Sequence, residues 1–151
     1  MPEKKISPPT KRESTDYASF LRGIKLIGLG LAECSATIDR AAYFDSGKKN
    51  NTRTISAEYK LGQLEKEFFD VTARFTLTVE DKMKPPKALA VECIFDAHFH
   101  CSTSDVSRER AERFTQSELR LILWPYFREF VSDISGKMAI PPLLIPLSAA
   151  E

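Results

Sequence analysis

The chain has 151 residues and carries 22 basic against 21 acidic side chains, so no overall field would draw it to nucleic acid or an anionic membrane. Hydrophobic residues make up 42% and charged residues 28% of the chain, which excludes a wholly disordered, collagen-like or disulfide-scaffold protein. Three cysteines, an odd number spread over the sequence, favour a reducing compartment, and we expect the cytoplasm.

Composition predicts one domain with short tails. Residues 1–16 combine three prolines with mixed charges and few large apolar side chains, which is typical of a disordered tail. No second block of composition marks a boundary after it. We therefore predict a single domain over residues 17–147 and a short tail over residues 148–151.

The first half of this domain predicts two strands. From Tyr17 to Asp39, apolar residues fall on both parities, which favours a strand that is either covered on both faces or bulged. Residues 45–53 are rich in Ser, Gly and Asn and predict a loop. Residues 55–62 then alternate apolar and polar side chains, as a short half-buried strand does.

The clearest pattern is the period of two that follows. Apolar side chains occupy every second position from Phe69 to Val79, and again from Leu89 to Cys101, which predicts two antiparallel strands with one face in the core. Residues 81–87, with Pro85 and Pro86, predict the turn between them.

The second of these strands contains four residues of the types that bind zinc. Cys93, His98, His100 and Cys101 resemble a ligand set when read linearly. Side chains alternate across a strand, however, so the cysteines and the histidines point to opposite faces. The parity favours two core thiols and two surface imidazoles, and we expect no metal.

The last third predicts a helix followed by an extended apolar segment. Thr115 and Glu118 have capping-box spacing, and three-four apolar spacing then continues to Ser135, with Gly136 in the position of a left-handed C-cap. Pro125 should kink or split the helix. Residues 138–147 hold three prolines among large apolar side chains and should be extended.

The sequence contains no convincing catalytic constellation, and we expect neither a catalytic residue nor a cofactor. Only two histidines are present, and a nucleophile elbow, a phosphate loop and a metalloprotease helix are missing. The patterns by themselves predict a small antiparallel α+β domain with surplus apolar surface, which a partner subunit or an extended ligand would cover.

Residues 123–147, LWPYFREFVSDISGKMAIPPLLIPL, resemble the SecB family of protein-export chaperones. The run from Trp124 to Asp133 and the later Pro-Pro-Leu match that family's helix and the segment after it. The EYKL sequence of residues 58–61 and the two period-two strands occupy the places of the family's second, third and fourth elements. The resemblance therefore covers residues 20–147.

This resemblance implies a four-stranded antiparallel sheet with a long, Pro-kinked helix on one face, assembled as a homotetramer that is a dimer of dimers. It also implies an ATP-independent holdase that binds unfolded polypeptides, such as exported precursors, in apolar grooves. By position, the predicted client-binding residues are Tyr59, Leu61, Phe69 and Trp124.

Three departures from the family pattern leave alternatives open. Family members dock the translocation ATPase SecA on sheet carboxylates, of which only Glu92 is matched here; the acidic net charge and the final helix are also missing. These departures resemble the SecB-like branch that accompanies toxin–antitoxin pairs, in which one antitoxin is the client. The competing class is a noncatalytic structural or assembly subunit, and an enzyme ranks third.

Overall fold

The computed structural model describes residues 11–45, 51–81, 84–103 and 106–147. Four strands form one antiparallel sheet in the order β1-β4-β3-β2, with the helices packed on one face, so the predicted α+β fold class is confirmed. In chain order the elements are α1 (Lys11–Gly23), β1 (Ile24–Ile38), α2 (Arg40–Asp45), β2 (Asn51–Leu64), β3 (Phe68–Asp81), β4 (Lys84–Cys101), α3 (Arg108–Ser117) and α4 (Leu119–Lys137).

The core lies between β3 and β4 and the helices above them. Every apolar residue of the two period-two runs is buried, as predicted. Aromatic rings dominate the contact: Phe69 stacks on Phe99 at 5.1 Å between centroids, and Phe114 of α3 lies edge-on to both. Further along β3, Phe75 stacks on Phe127 of α4 at 4.8 Å. Ring burial on this scale supplies much of the apolar contribution to stability.

Strand β1 is bulged, which confirms one of the two predicted alternatives. Its register with β4 shifts between Leu26 and Gly28 and again between Leu31 and Glu33. Each shift leaves one residue out of the ladder and reverses the parity of the residues after it. This is why apolar side chains occupy both parities in the sequence although only one face of the strand meets the core.

The prediction that this strand begins at Tyr17 is wrong, because α1 continues to Gly23. Tyr17 and Phe20 are buried and Leu21 packs against the core, so the apolar spacing is that of a helix. The helix begins at Lys11, inside the segment predicted as a tail. Residues 1–10 and 148–151, the rest of the two predicted tails, lie outside the described residues.

The two predicted connections are shorter than expected. Residues 51–53, predicted as part of a loop, belong to β2, and the short helix α2 precedes that strand. Residues 84–87, including Pro85 and Pro86, belong to β4 rather than to a turn. Proline is compatible with a strand where no ladder donor is required, and the pairing of β4 with β1 ends at Leu89.

The helix predicted from Gln116 to Ser135 corresponds to α4, which the unpredicted helix α3 precedes, and the predicted capping box is wrong. Ser107 caps α3, and its hydroxyl accepts a bond from the Arg110 amide. Thr115 lies within α3, where its Oγ1 donates to the Ala111 carbonyl at 2.8 Å, and the break falls at Glu118. Helix α4 continues through Pro125 without being split there. No helix in the described ranges is long and apolar enough to cross a membrane.

The left-handed residue after α4 is Ala139, with φ of 52°, and not the predicted Gly136. The Ile140 amide donates to the Ser135 carbonyl, and the Ala139 amide donates to the Gly136 carbonyl. These two bonds define a Schellman motif with Ala139 at C′. The chain then continues without helix or strand over residues 141–147, as predicted.

Candidate functional site

The sheet ends at β2, and along this edge strand apolar side chains alternate with polar ones. In the described residues β2 pairs with β3 alone, so one side of its backbone has no neighbouring strand. Its helix-facing side chains are half-buried, whereas Thr54, Ser56, Glu58 and Lys60 between them are exposed. An extended polypeptide could add to such an edge through backbone hydrogen bonds. The half-buried residues of this β2 edge are Ile55, Ala57, Tyr59, Leu61 and Leu64.

Tyr59 lies where the β2 edge meets the aromatic core. Its ring contacts Phe75 edge-on, with 6.0 Å between centroids. Its hydroxyl oxygen is buried and has no hydrogen-bond partner. Burial raises the pKa of Tyr59, and the positive charge of Arg120 partly opposes that rise. The Arg120 guanidinium lies 5.5 Å from the centre of the Trp124 ring, so a cation and a phenol border the apolar edge.

Of the four predicted client-binding residues, the structure brings Tyr59 and Leu61 to a partly accessible edge. Phe69 is 1% exposed and Trp124 is 4% exposed. Phe69 belongs to the ring cluster with Phe99, and the Trp124 indole donates to the Pro146 carbonyl at 2.8 Å. These two rings are core residues in the single chain, because the helices and the C-terminal residues cover them.

The predicted SecA-docking residue, Glu92, lies on the face of the sheet that the helices leave uncovered. It is partly exposed, and its cross-strand partners are Ser35 and Thr76. A second carboxylate, Asp96, lies four residues further along β4 and accepts a hydrogen bond from Thr72 at 2.9 Å. Sequence reasoning missed Asp96, although its parity matches that of Glu92.

The predicted separation of cysteines from histidines is confirmed. Cys93 and Cys101 are buried beneath the helices, whereas His98 lies on the uncovered face with its Nδ1 2.7 Å from Asp70. Burial raises the pKa of the Cys93 thiol to about 12, so it is not a thiolate at neutral pH. Among the described residues, no cluster of His, Cys, Asp or Glu could hold a metal ion.

A second apolar surface lies along α4 and the opposite edge of the sheet. Four residues at intervals of four form one stripe on α4, and each is half-buried or exposed. Leu31 of edge strand β1 is 45% exposed, although its partner Phe95 is in the core. Large exposed apolar patches mark interaction sites. The residues of this α4 stripe are Ile122, Tyr126, Phe130 and Ile134.

Comparison with known proteins agrees with this architecture. The family model described as preprotein translocase subunit SecB matches residues 36–147. Two curated relatives, the SecB-like chaperones Rv1957 and MT2006 of two Mycobacterium tuberculosis strains, are each 33% identical over 54 residues. That stretch covers 36% of this chain and 30% of the length of either relative.

A solved structure is similar over most of the chain. It contains the Mycobacterium tuberculosis Rv1957 SecB-like chaperone in complex with a ChAD peptide from the HigA1 antitoxin. The TM-score is 0.74 at 21% identity, and the alignment covers 89% of this chain and 96% of that one. The fold is therefore that of a SecB-like protein. Because the family model matches well over half of the sequence, the chain belongs to the SecB family.

Proposed function

We propose that this protein is an ATP-independent chaperone that holds unfolded polypeptides. The β2 edge carries the proposal, because it offers half-buried apolar side chains beside an unpaired backbone. Many weak apolar contacts combined with backbone hydrogen bonds select extended, apolar chains without requiring one sequence. Membership of the SecB family supports this activity.

Within this proposal, Tyr59 and Leu61 contact the client directly. Phe69 and Trp124, the other two predicted residues, are buried in the single chain and are not accessible to a client at the β2 edge. The proposed clients are exported precursor proteins or, in the alternative, one antitoxin. The antitoxin alternative is supported by the similar SecB-like structure, which binds an antitoxin peptide. Affinity purification from the native host would distinguish many precursors from one small protein accompanied by its toxin.

The proposal also includes assembly as a dimer of dimers in the cytoplasm. The α4 stripe and the exposed Leu31 on the β1 edge supply apolar surface for subunit contacts. The competing class, a structural subunit, would use all such surface for assembly. A tetramer that binds no unfolded polypeptide at micromolar concentration would favour that class.

SecA docking through Glu92 is a narrower proposal. Glu92 and Asp96 lie on the uncovered face, where a basic partner could reach them. If SecA docks there, Glu92→Lys should abolish its capture without changing client binding. Capture is measured at low salt, because salt screens charge contacts of this kind. Unchanged capture by the variant would remove Glu92 from the site.

A matched pair of variants tests the holdase proposal. Leu61→Asp places a carboxylate in the half-buried face of β2, whereas Lys60→Asp places one at the adjacent, exposed position. Wild-type protein should suppress light scattering by diluted, denatured clients. We expect Leu61→Asp to weaken client binding about tenfold, equivalent to ~1.4 kcal/mol, and Lys60→Asp to retain it. Failure of the wild-type protein with several clients would refute the activity.

A further inference from the structure

Residues 140–147, which we name the C-terminal strap, lie along α4 as an extended apolar segment. Ile140, Leu143 and Ile145 are buried, whereas Leu144 and Leu147 are 82% and 83% exposed. Leu143, Leu144 and Ile145 thus alternate between buried and exposed positions, as residues of an extended chain do when it lies in a channel.

Side chains of α4 bind the main chain of the strap. Trp124 donates from Nε1 to the Pro146 carbonyl at 2.8 Å, and Arg128 donates from Nε to the Ile145 carbonyl at 3.3 Å. The two donors are one helical turn apart and face consecutive carbonyls. The Leu143 amide also donates to Ser135 Oγ at 3.4 Å. Contacts to carbonyl groups are independent of side-chain identity, so another extended apolar segment could satisfy the same donors.

The strap is attached to its channel by side chains rather than by a backbone ladder. Residues 141–147 belong to no helix or strand, and three of them are prolines, which lack an amide donor. At its base, Ala139 has a left-handed φ of 52°, and the Arg40 guanidinium holds the Met138 carbonyl at 2.7 Å. The strap therefore has a fixed base, while its main chain beyond residue 140 is held by side chains alone.

We propose that the strap is a built-in occupant of an extended-peptide channel on α4, and that an apolar client segment displaces it. This inference rests on the proposed function. It assigns Trp124 and Arg128 to client recognition, as donors to client carbonyl groups, and it explains why Trp124 is buried in the free protein. The client segment that fits is extended, with apolar side chains at alternate positions.

Trp124 is the one tryptophan of the sequence, so its emission reports on the strap. The experiment titrates the full chain with reduced, carboxymethylated pancreatic trypsin inhibitor, an unfolded polypeptide without tryptophan, while the anisotropy of a dye on that probe reports binding. We expect binding to be accompanied by a red shift of Trp124 emission and stronger quenching by acrylamide. Binding without any change in emission overturns the strap proposal and leaves the chaperone proposal intact. Absence of binding overturns both.

Two variants of the strap provide an independent test. Ile145→Asp replaces a buried strap residue, whereas Leu144→Asp makes the same change at the exposed neighbouring position. We expect the first variant to show red-shifted emission before any probe is added and to bind the probe about fivefold more tightly, because the channel is already open. The second should match the wild type. Red-shifted emission with unchanged or weaker binding refutes displacement. If Ile145→Asp fails to fold, the wild-type titration decides.

Discussion

At the scale of single residues, burial divides the three cysteines into two chemical classes. Cys34 is exposed on edge strand β1, whereas Cys93 and Cys101 are buried in the core. The thiolate is the reactive form, and a buried thiol is inaccessible to reagents. The cysteines therefore differ in reactivity although all three are free.

A thiol titration checks this division. We expect an aromatic disulfide reagent at pH 8 to react rapidly with one thiol of the folded protein and with three in denaturant. Cys34→Ser should abolish the rapid phase. A rapid phase that persists in this variant would show that a core thiol is accessible.

Cys93 also links stability to alkaline pH. Burial raises its pKa from 9.0 to about 12, so the folded state binds the proton more tightly than the unfolded state does. Its contribution to stability is therefore complete below pH 9 and is lost as pH rises towards 12. Denaturant melts from pH 8 to pH 11 should show a steeper loss of stability for wild type than for Cys93→Ala. Parallel losses would contradict this linkage.

Ala139 occupies a conformation that favours glycine. A left-handed residue with a Cβ costs about 1 kcal/mol or more, so Ala139→Gly should raise the free energy of unfolding by about 1 kcal/mol. The matched control is Ala41→Gly in helix α2, which should lower it by up to about 1 kcal/mol. Chemical denaturation measures both. Destabilisation by Ala139→Gly would contradict the assignment of Ala139 to the C′ position.

At the scale of elements, Gly23 fixes the junction between α1 and the sheet. The Gly23 carbonyl accepts the Ser102 amide at 3.1 Å, and a Cβ on Gly23 would lie 2.4 Å from Thr103 Oγ1. We expect Gly23→Ala to destabilise the protein by about 1–3 kcal/mol, because the two segments must separate. At Gly30 a Cβ meets nothing within 4 Å, so Gly30→Ala serves as the control. Equal melting temperatures for the two variants would refute the close contact.

Strands were easier to predict than helices in this sequence, for a physical reason. From Phe69 to Val79 in β3 and from Leu89 to Cys101 in β4 one face is buried throughout, so the period of two is unbroken and both strands were predicted. Helices α1 and α3 bury few residues each, so their signals are short. Tyr17, Phe20, Leu21 and Ile24 nevertheless have helical spacing, and Ser107 is an N-cap residue four positions before Ala111. These signals would have been sufficient to predict both helices, but we predicted neither of them.

The capping box failed because the Thr115 hydroxyl donates a hydrogen bond inside α3 instead of accepting one at a helix N-terminus. Thr115 and Glu118 have the correct spacing, but the Thr115 hydroxyl bonds to the carbonyl four residues earlier in α3. Such internal bonds are the usual alternative for a threonine within a helix. Sequence spacing cannot distinguish these two roles of the hydroxyl, because the choice depends on where the preceding helix begins.

At the scale of the whole molecule, the sequence predicted the family and an apolar surface but not which residues are accessible. Tyr59 and Leu61 lie at the β2 edge, whereas Phe69 and Trp124 are covered. Coverage of Trp124 depends on contacts with residues more than twenty positions away, such as Pro146. A local pattern carries no information about such contacts.

The two sheet edges make the assembly proposal testable. Leu31→Lys places a charge on the exposed apolar part of β1, and charges on an edge oppose pairing between sheets. Light scattering after size exclusion should show the proposed tetramer for the wild type and a smaller species for Leu31→Lys. Thr54→Lys places the same charge on the β2 edge and should leave the assembly unchanged. Dissociation by Thr54→Lys alone would assign assembly to the other edge.

The strand order β1-β4-β3-β2 has a consequence for folding during synthesis of the protein. Strands β2, β3 and β4 are sequential neighbours and can pair as each leaves the ribosome, whereas among the described strands β1 pairs only with β4. Until β4 has been synthesised, the apolar residues of β1 lack the strand with which they pair in the folded protein. Non-local pairings of this kind form late and expose the chain to aggregation. Early in its own synthesis, the protein has the same need for protection that we propose it meets in others.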